Sequence, residues 1–208
     1  MFHLYDSLHA KQFLQKICPE IVFPLPNSVM AGAPDFLAFI CNYVLKYAPS
    51  IILEAGSGFS TVYIAACMKT LGTGTLISLE HEEQFTTVTK KLLKQLQLES
   101  FVSLHVAPLR LFSIRNKKWF WYDFESSLNH ITQIDLMIVD GPPQKKQPMC
   151  RYPAMPLIRN KFVKGSRLIL DDVRRSDEQK IIQRWKKEFD IALEIFEHER
   201  GTCLITVS

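Results

Sequence analysis

Two kinds of short stretch ask for a chemical explanation first. Residues 54–61 read EAGSGFST and follow the apolar run SIIL. Gly56 and Gly58 permit a tight turn and let a ligand approach the backbone, because no Cβ stands in the way. A helix starting just after them places the amides of Gly58 to Ser60 where the partial positive charge of a helix N-terminus gathers. The other stretches are acids that follow apolar runs: Glu80 in LISLEH, Asp140 in IVDGPP, and Asp171 with Asp172 in LILDDVRR.

The glycine turn is not a dinucleotide fingerprint. That pattern runs G-x-G-x-x-G, and its third glycine is replaced here by Thr61. Glu54, just ahead of the glycines, would repel a pyrophosphate and suits a ligand with a cationic amine. S-adenosylmethionine is such a ligand, a zwitterion without phosphate. Glu80, at the end of the next apolar run, can accept both hydroxyls of a ribose. Nicotinamide enzymes share an acid there, so Glu54 and Thr61 carry the discrimination. The plainer alternative for each acid is a helix cap or an exposed loop residue.

Asp140, Asp171 and Asp172 end two runs that should open onto one cleft. Carboxylates crowded together repel unless a cation neutralises them or some take up protons. Oxygen ligands suit a hard ion such as magnesium. The plainer reading has Asp140 capping the Gly141-Pro142-Pro143 turn and Asp172 paired with Arg174 or Arg175. Lys145 and Lys146 follow that turn, either as a general base with a lowered pKa or as solvated loop lysines. Arg151-Tyr152 either closes over the acceptor or pairs with one of the acids.

The elements that must position these residues follow from periodicity. Five strands are expected at 50–55, 74–80, 101–107, 134–140 and 166–172. The first, fourth and fifth are nearly continuous apolar runs, as in a parallel sheet buried on both faces. Helical spacing lies between them at Thr61–Thr70, Glu83–Leu98, Pro153–Val163 and Ser176–Phe189, and ahead of them from Pro34 to Pro49. IALEIFEHER-GT-CLITVS reads as two strands about Gly201-Thr202. The fold class is therefore α/β, a single-domain, Rossmann-like, doubly wound sheet of seven mostly parallel strands with a C-terminal antiparallel hairpin. Residues 1–33, including VFPLPNS at 22–28, are expected to form a strap or lid ahead of a domain spanning 34–208. KKWFWYDF (117–124) reads as packing of a long connection, although aromatics flanked by lysines can also stack bases.

Composition narrows the classes. With 208 residues, 47% apolar and 22% charged, the chain suits one domain with a full core. Five scattered cysteines without a C-x-x-C pair argue against a disulfide framework or a zinc knuckle and fit a reducing compartment. No leader-like segment opens the chain and no apolar run is long enough to span a bilayer, so a soluble cytoplasmic protein is expected. Basic residues gather between Lys145 and Lys187, which reads either as solvated helix faces or as a nucleic-acid footprint.

Taken together, the blocks LEAGSGFST, SLEH and the closing hairpin resemble the class I S-adenosylmethionine-dependent methyltransferases over nearly the full length. GSGFST, WYD, VDGPP, RYPAMPLI and LILDD resemble a little-characterised group within that superfamily. The resemblance implies cofactor contacts from Glu54, Gly56, Ser57, Gly58, Ser60, Thr61, Glu80, His81, Pro108 and Asp140. His81 and Ala107-Pro108-Leu109 would flank the adenine, and Trp121, Tyr122 and Asp123 would lie near the pocket. The acceptor side is similar to catechol O-methyltransferase, which implies Asp140, Asp171 and Asp172 as ligands of a divalent metal such as Mg2+. Asp140, Lys145 and Asp171 are then the catalytic candidates. The implied partner is a small hydroxylated acceptor rather than a nucleic acid or a membrane. A nucleic-acid methyltransferase stays as the alternative, although VDGPPQ stands where amino-group methylases carry [DNS]-P-P-[YF]. A non-catalytic protein with a cofactor fold is the third reading.

Overall fold

Each apolar run becomes a strand because aliphatic and β-branched side chains fill both faces of a covered sheet. The computed structural model describes residues 7–22 and 32–208. Its helices are α1 (Ser7–Ile17), α2 (Pro34–Tyr47), α3 (Phe59–Leu71), α4 (Glu83–Gln95), α5 (Ala154–Ile158) and α6 (Ser176–Glu188). Its strands are β1 (Ile51–Ala55), β2 (Thr75–Glu80), β3 (Val102–Val106), β4 (Leu109–Ile114), β5 (Lys117–Tyr122), β6 (Leu136–Val139), β7 (Arg167–Asp171), β8 (Ile191–Phe196) and β9 (Thr202–Val207). The main sheet has seven strands in the order β3-β2-β1-β6-β7-β9-β8. β1, β2, β3, β6 and β7 run parallel, and β9 pairs antiparallel with both β7 and β8. This is the expected doubly wound sheet with its closing hairpin. The order reverses between β1 and β6, and crevices open at such switch points. No helix among the described residues is long and apolar enough to cross a membrane.

Two cores cover the two faces. Ile52, Leu76, Ile138 and Ile169 pack with α1, α2 and α3, while Leu53, Leu79, Val139 and Leu170 pack with Trp119, Trp121, Tyr152, α5 and α6. Side chains alternate along a strand, so Glu54, Ser78, Glu80, Asp140 and Asp171 share the face of Ile52, Leu76, Ile138 and Ile169. Register completes the alignment, since Glu54 lies opposite Ser78 and Val139 opposite Leu170. The acids thus converge on one face at the carboxyl ends of four adjacent strands.

Two expectations need correction. Within the segment expected as a strap or lid, residues 7–17 form α1, with Ala10 and Leu14 buried against α2 and α3. VFPLPNS lies, after Val22, outside the described residues. KKWFWYDF is not a bare connection but contains β5, paired with β4 in a separate two-stranded sheet. Its turn residues Arg115 and Asn116 both have positive φ (48° and 62°), the backbone that a two-residue hairpin requires, without the usual glycine. The helix expected over Pro153–Val163 is one short helix, α5, followed by a tighter turn at Arg159–Lys161. The hairpin is tied to the loop after β6 by one side chain. Gln147 Nε2 donates to the Phe120 carbonyl at 2.8 Å, and the Phe120 amide donates back to Gln147 Oε1 at 3.0 Å.

β1, β5 and β6 meet at Gly141. A Cβ there would stand 2.1 Å from the Tyr122 hydroxyl and 3.2 Å from the Ala55 carbonyl oxygen. Gly141→Ala should therefore cost about 2 kcal/mol through overpacking and lower the melting temperature by roughly 4–8 °C. Adding Tyr122→Phe should return part of that loss in a double-mutant thermal unfolding cycle. Additive losses would show that the two groups do not meet.

Candidate active site

β1 ends in a turn that Glu54 braces from beneath. Its Oε2 accepts hydrogen bonds from the Thr61 hydroxyl at 2.6 Å and the Ser78 hydroxyl at 2.7 Å, while Thr61 Oγ1 accepts the Gly58 amide at 3.0 Å. The turn is thereby fastened to α3 and β2 through one carboxylate. Gly56 has φ +100°, and a Cβ on it would come within 3.2 Å of the Gly141 amide nitrogen, so two backbones close here on glycine alone. Glu54 is fully buried, and Oε1 has no hydrogen-bond partner among the described residues. Burial pushes its pKa up to about 7 against the hydroxyl donors Ser60, Thr61 and Ser78. Glu54 therefore stands behind the turn rather than on the wall that a ligand would touch.

Glu80 closes β2 and faces the cavity. Oε2 accepts the Ser57 amide at 3.1 Å, and Oε1 accepts the amides of His81 at 2.7 Å and Glu82 at 3.0 Å. The His81 imidazole adds a contact, with Nδ1 2.8 Å from Oε1. Burial alone would raise this carboxyl, but the His81 imidazole and the amides of Glu82 and Ser57 outweigh it and hold the pKa low. Glu80 is thus a fixed anion, and Oε2 receives one hydrogen bond, leaving room for further donors.

Across the switch point, the amides of Asp140 and Gly141 both donate to the Ala55 carbonyl, which seats Asp140 beside β1. Arg151 dominates its surroundings. Nη2 donates to Asp140 Oδ1 at 3.1 Å, to the Asp140 carbonyl, and to Asp172 Oδ2 at 2.8 Å. Nη1 donates to the Asp171 carbonyl at 3.0 Å, and Nε lies 3.8 Å from Glu178 Oε1. Tyr152 anchors the next position: its carbonyl accepts Trp185 Nε1 at 3.0 Å and its hydroxyl donates to Glu188 at 2.8 Å. Arg175 Nη1 makes a second pair with Asp172 Oδ2 at 2.8 Å. Burial would lower the Arg151 pKa, but Asp140, Asp172, Asp171 and Glu178 hold the guanidinium charged. Asp171 is fully buried with neither carboxylate oxygen hydrogen-bonded among the described residues. Burial, then the charges of Asp140 and Asp172, push its pKa far up.

A cavity of about 510 Å³ joins the two halves, within the range of small-molecule sites. Of the expected residues, Gly56, Ser57, Ser60, Glu80, His81, Asp140, Lys145 and Asp172 line it. Glu54, Thr61 and Asp171 are buried behind it, Gly58 is half-buried in the turn without lining it, and Pro108 lies apart, exposed between β3 and β4. Phe85, Gln144, Arg175 and Arg200 also line the cavity and were not among the sequence candidates. Tyr122, expected near the pocket from its aromatic block, lines it as well. Arg200 comes from the β8–β9 connection, and nothing in its local sequence places it here. Lys145 is exposed on a short turn at Gln144–Lys146. Two other depressions, one about Ser50, Ile51 and Asp135 and one between α6 and β8, gather none of these strand-end acids.

The raised pKa of Glu54 makes a signed prediction. The folded state binds this proton more tightly than the unfolded chain, so the associated stability is greatest at low pH and is lost as pH rises from the ordinary carboxylate range through about 7. Glu54→Gln, uncharged at every pH, should flatten the fall in melting temperature between pH 5 and 8, by up to about 3 kcal/mol at the upper end. Parallel curves for the two proteins would mean that Glu54 is ionised in the fold.

Comparison with known proteins bears on this geometry. SAH-bound methyltransferase PaMTH1 of Podospora anserina superposes with a TM-score of 0.71 at 13% identity, covering 97% of this chain and 93% of that one. The O-methyltransferase of Bacillus cereus, in complex with SAH, gives 0.64 at 15% identity, with 99% and 93% covered. TomG of Streptomyces achromogenes, an O-methyltransferase of tomaymycin synthesis in complex with SAM, gives 0.64 at 16% identity, with 98% and 91% covered. At these identities the likeness speaks for the fold. No curated protein matches the chain. A family model described as "Methyltransferase domain" matches residues 53–173, more than half of the chain, from Leu53 ahead of the glycine turn to Val173 beyond the paired aspartates. The chain belongs to the methyltransferase-domain family.

Proposed function

We propose that this protein transfers a methyl group from S-adenosylmethionine to a hydroxyl oxygen of a small acceptor. The observation that carries the reading is Glu80, a carboxylate fixed by three backbone amides on the wall of the cavity beside the glycine turn. Its remaining lone pairs suit the two hydroxyls of a ribose. Gly56, Ser57 and Ser60 supply the adjoining wall for the amino-acid end, at the N-terminus of α3. His81 and Tyr122, edge to face with centroids 5.9 Å apart, offer aromatic surface beside Glu80. When bound, S-adenosylmethionine supplies a methyl group on a positively charged sulfur.

Among the acids after β6 and β7, Asp140 is the one placed to handle a proton at the acceptor oxygen. Its side chain is 27% exposed, against 3% for Asp172. Burial raises its pKa, partly offset by Arg151, which makes it a stronger base than an ordinary carboxylate. Lys145, on the rim, is the second candidate. Asp171 stands off the wall and enters the proposal only as support. A divalent ion held by Asp140, Asp171 and Asp172 would supply Lewis acidity. Their ligand atoms lie within 4.8 Å of one another, but the Arg151 guanidinium already lies between two of them.

Two variants separate the two halves of the site. Calorimetric titration with S-adenosylmethionine should give micromolar affinity that Glu80→Ala weakens by at least about tenfold, the loss of one or two charge-assisted hydrogen bonds. Asp140→Asn should keep that affinity and lower methyl transfer to a panel of hydroxylated acceptors by about a hundredfold or more. Heat-silent titrations with an unchanged melting temperature would remove the cofactor reading altogether.

A further inference from the structure

We propose that Arg151 takes the place of the divalent cation at the acceptor side, holding Asp140 and Asp172 together so that the site works without metal. The inference rests on the reading of Asp140 as the acceptor-side base. The geometry is specific. A single nitrogen, Nη2, reaches the side chains of both Asp140 (3.1 Å) and Asp172 (2.8 Å), while Nη1 holds the carbonyl of Asp171 at 3.0 Å. One planar fork therefore ties the end of β6 to the end of β7, a task that the point charge of a lysine cannot do. Such bridging of two carboxylates is otherwise the work of an ion with several oxygen ligands.

The best case for a metal is Asp171, whose carboxylate oxygens are buried and unpartnered among the described residues. An ion arriving from the cavity would have to expel Arg151, which is 2% exposed and held by Asp140, Asp171 and Asp172. Expulsion would leave a guanidinium buried without partners, which is strongly unfavourable. The ion would also meet Arg175, already paired with the same Asp172 oxygen at 2.8 Å. Asp140 and Asp172 thus face two guanidinium groups, so neither carboxylate offers a divalent ion an unmatched charge. Arg151 acts as a positioning residue: it fixes the direction of the Asp140 carboxylate and does not itself meet the acceptor oxygen.

Manganese alone is a sufficient probe. In wild-type protein at millimolar Mn2+, the electron paramagnetic resonance signal of the free ion should be undiminished, and chelator should leave methyl transfer unchanged. Arg151→Met, which keeps the stem and removes the fork, should expose the acids and create manganese binding that wild type lacks. Arg151→Lys, in case the methionine variant does not fold, should keep S-adenosylmethionine affinity while kcat falls by about a hundredfold through misplacement of Asp140. Manganese binding by wild type that Asp140→Asn abolishes would overturn the proposal, as would full kcat in Arg151→Lys. A failure of S-adenosylmethionine to bind would instead count against the methyl-transfer reading, since the manganese measurement uses neither cofactor nor acceptor.

Discussion

A carboxylate withdrawn from water has to be matched by donors or lose its charge, and the upper end of this sheet is organised by that requirement. Four adjacent strands deliver Glu54, Glu80, Asp140 and Asp171 to the same face, Asp172 follows directly after the last of them, and the acids are handled in different ways. Glu54 receives hydroxyls and is pushed towards its neutral form, Glu80 receives backbone amides and stays an anion, and Asp140 and Asp172 share one guanidinium. Asp171 has no side-chain donor among the described residues, and burial drives its pKa far up. The donors differ in what they leave free. The amides on Glu80, two from its own turn and one from Ser57, leave it open to the cavity, whereas the hydroxyls on Glu54 close it within the protein.

That difference explains how much could be read without coordinates. The five parallel strands and the closing hairpin were legible, because continuous apolar runs separated by helical spacing admit few other packings. Glu80 and Asp140 were legible as strand-end acids, and both line the cavity. Glu54 was legible as an acid but not as a brace. Seeing that it points at Thr61 and Ser78 needs the register of β1 against β2, which no local pattern supplies. The β4–β5 hairpin escaped because its turn, Arg115-Asn116, carries positive φ on two residues without the glycine that usually accompanies an Asn there. Trp119 and Trp121 alternate with the exposed Phe120, and that period of two was the missed signal. Arg151 was visible as a partner for one acid, and its reach across two strand ends is a property of the fold.

Membership of the methyltransferase-domain family and the geometry of the cavity point the same way but carry different weight. The family fixes the sheet and the glycine turn. In the proposed reading the rest of the cavity wall is drawn from dispersed pieces: Tyr122 from a hairpin, Gln144 and Lys145 from the loop after β6, Arg175 from the turn ahead of α6, and Arg200 from the β8–β9 connection. Pieces of this kind vary more freely than strand ends, so acceptor preference can change without disturbing the part that holds the cofactor in the proposed reading.

The contact between Gln147 and Phe120 has a meaning apart from the cavity. β4 and β5 stand alone as a pair, so the outer border of β5 would present bare amide and carbonyl groups to any passing extended chain. The carboxamide of Gln147 satisfies both groups at the midpoint of that border, acting as a one-residue imitation of a third strand. Part of the border beside a stretch as aromatic as KWFWY is thereby occupied from within the fold, one of the ways in which folded chains blunt an exposed strand edge.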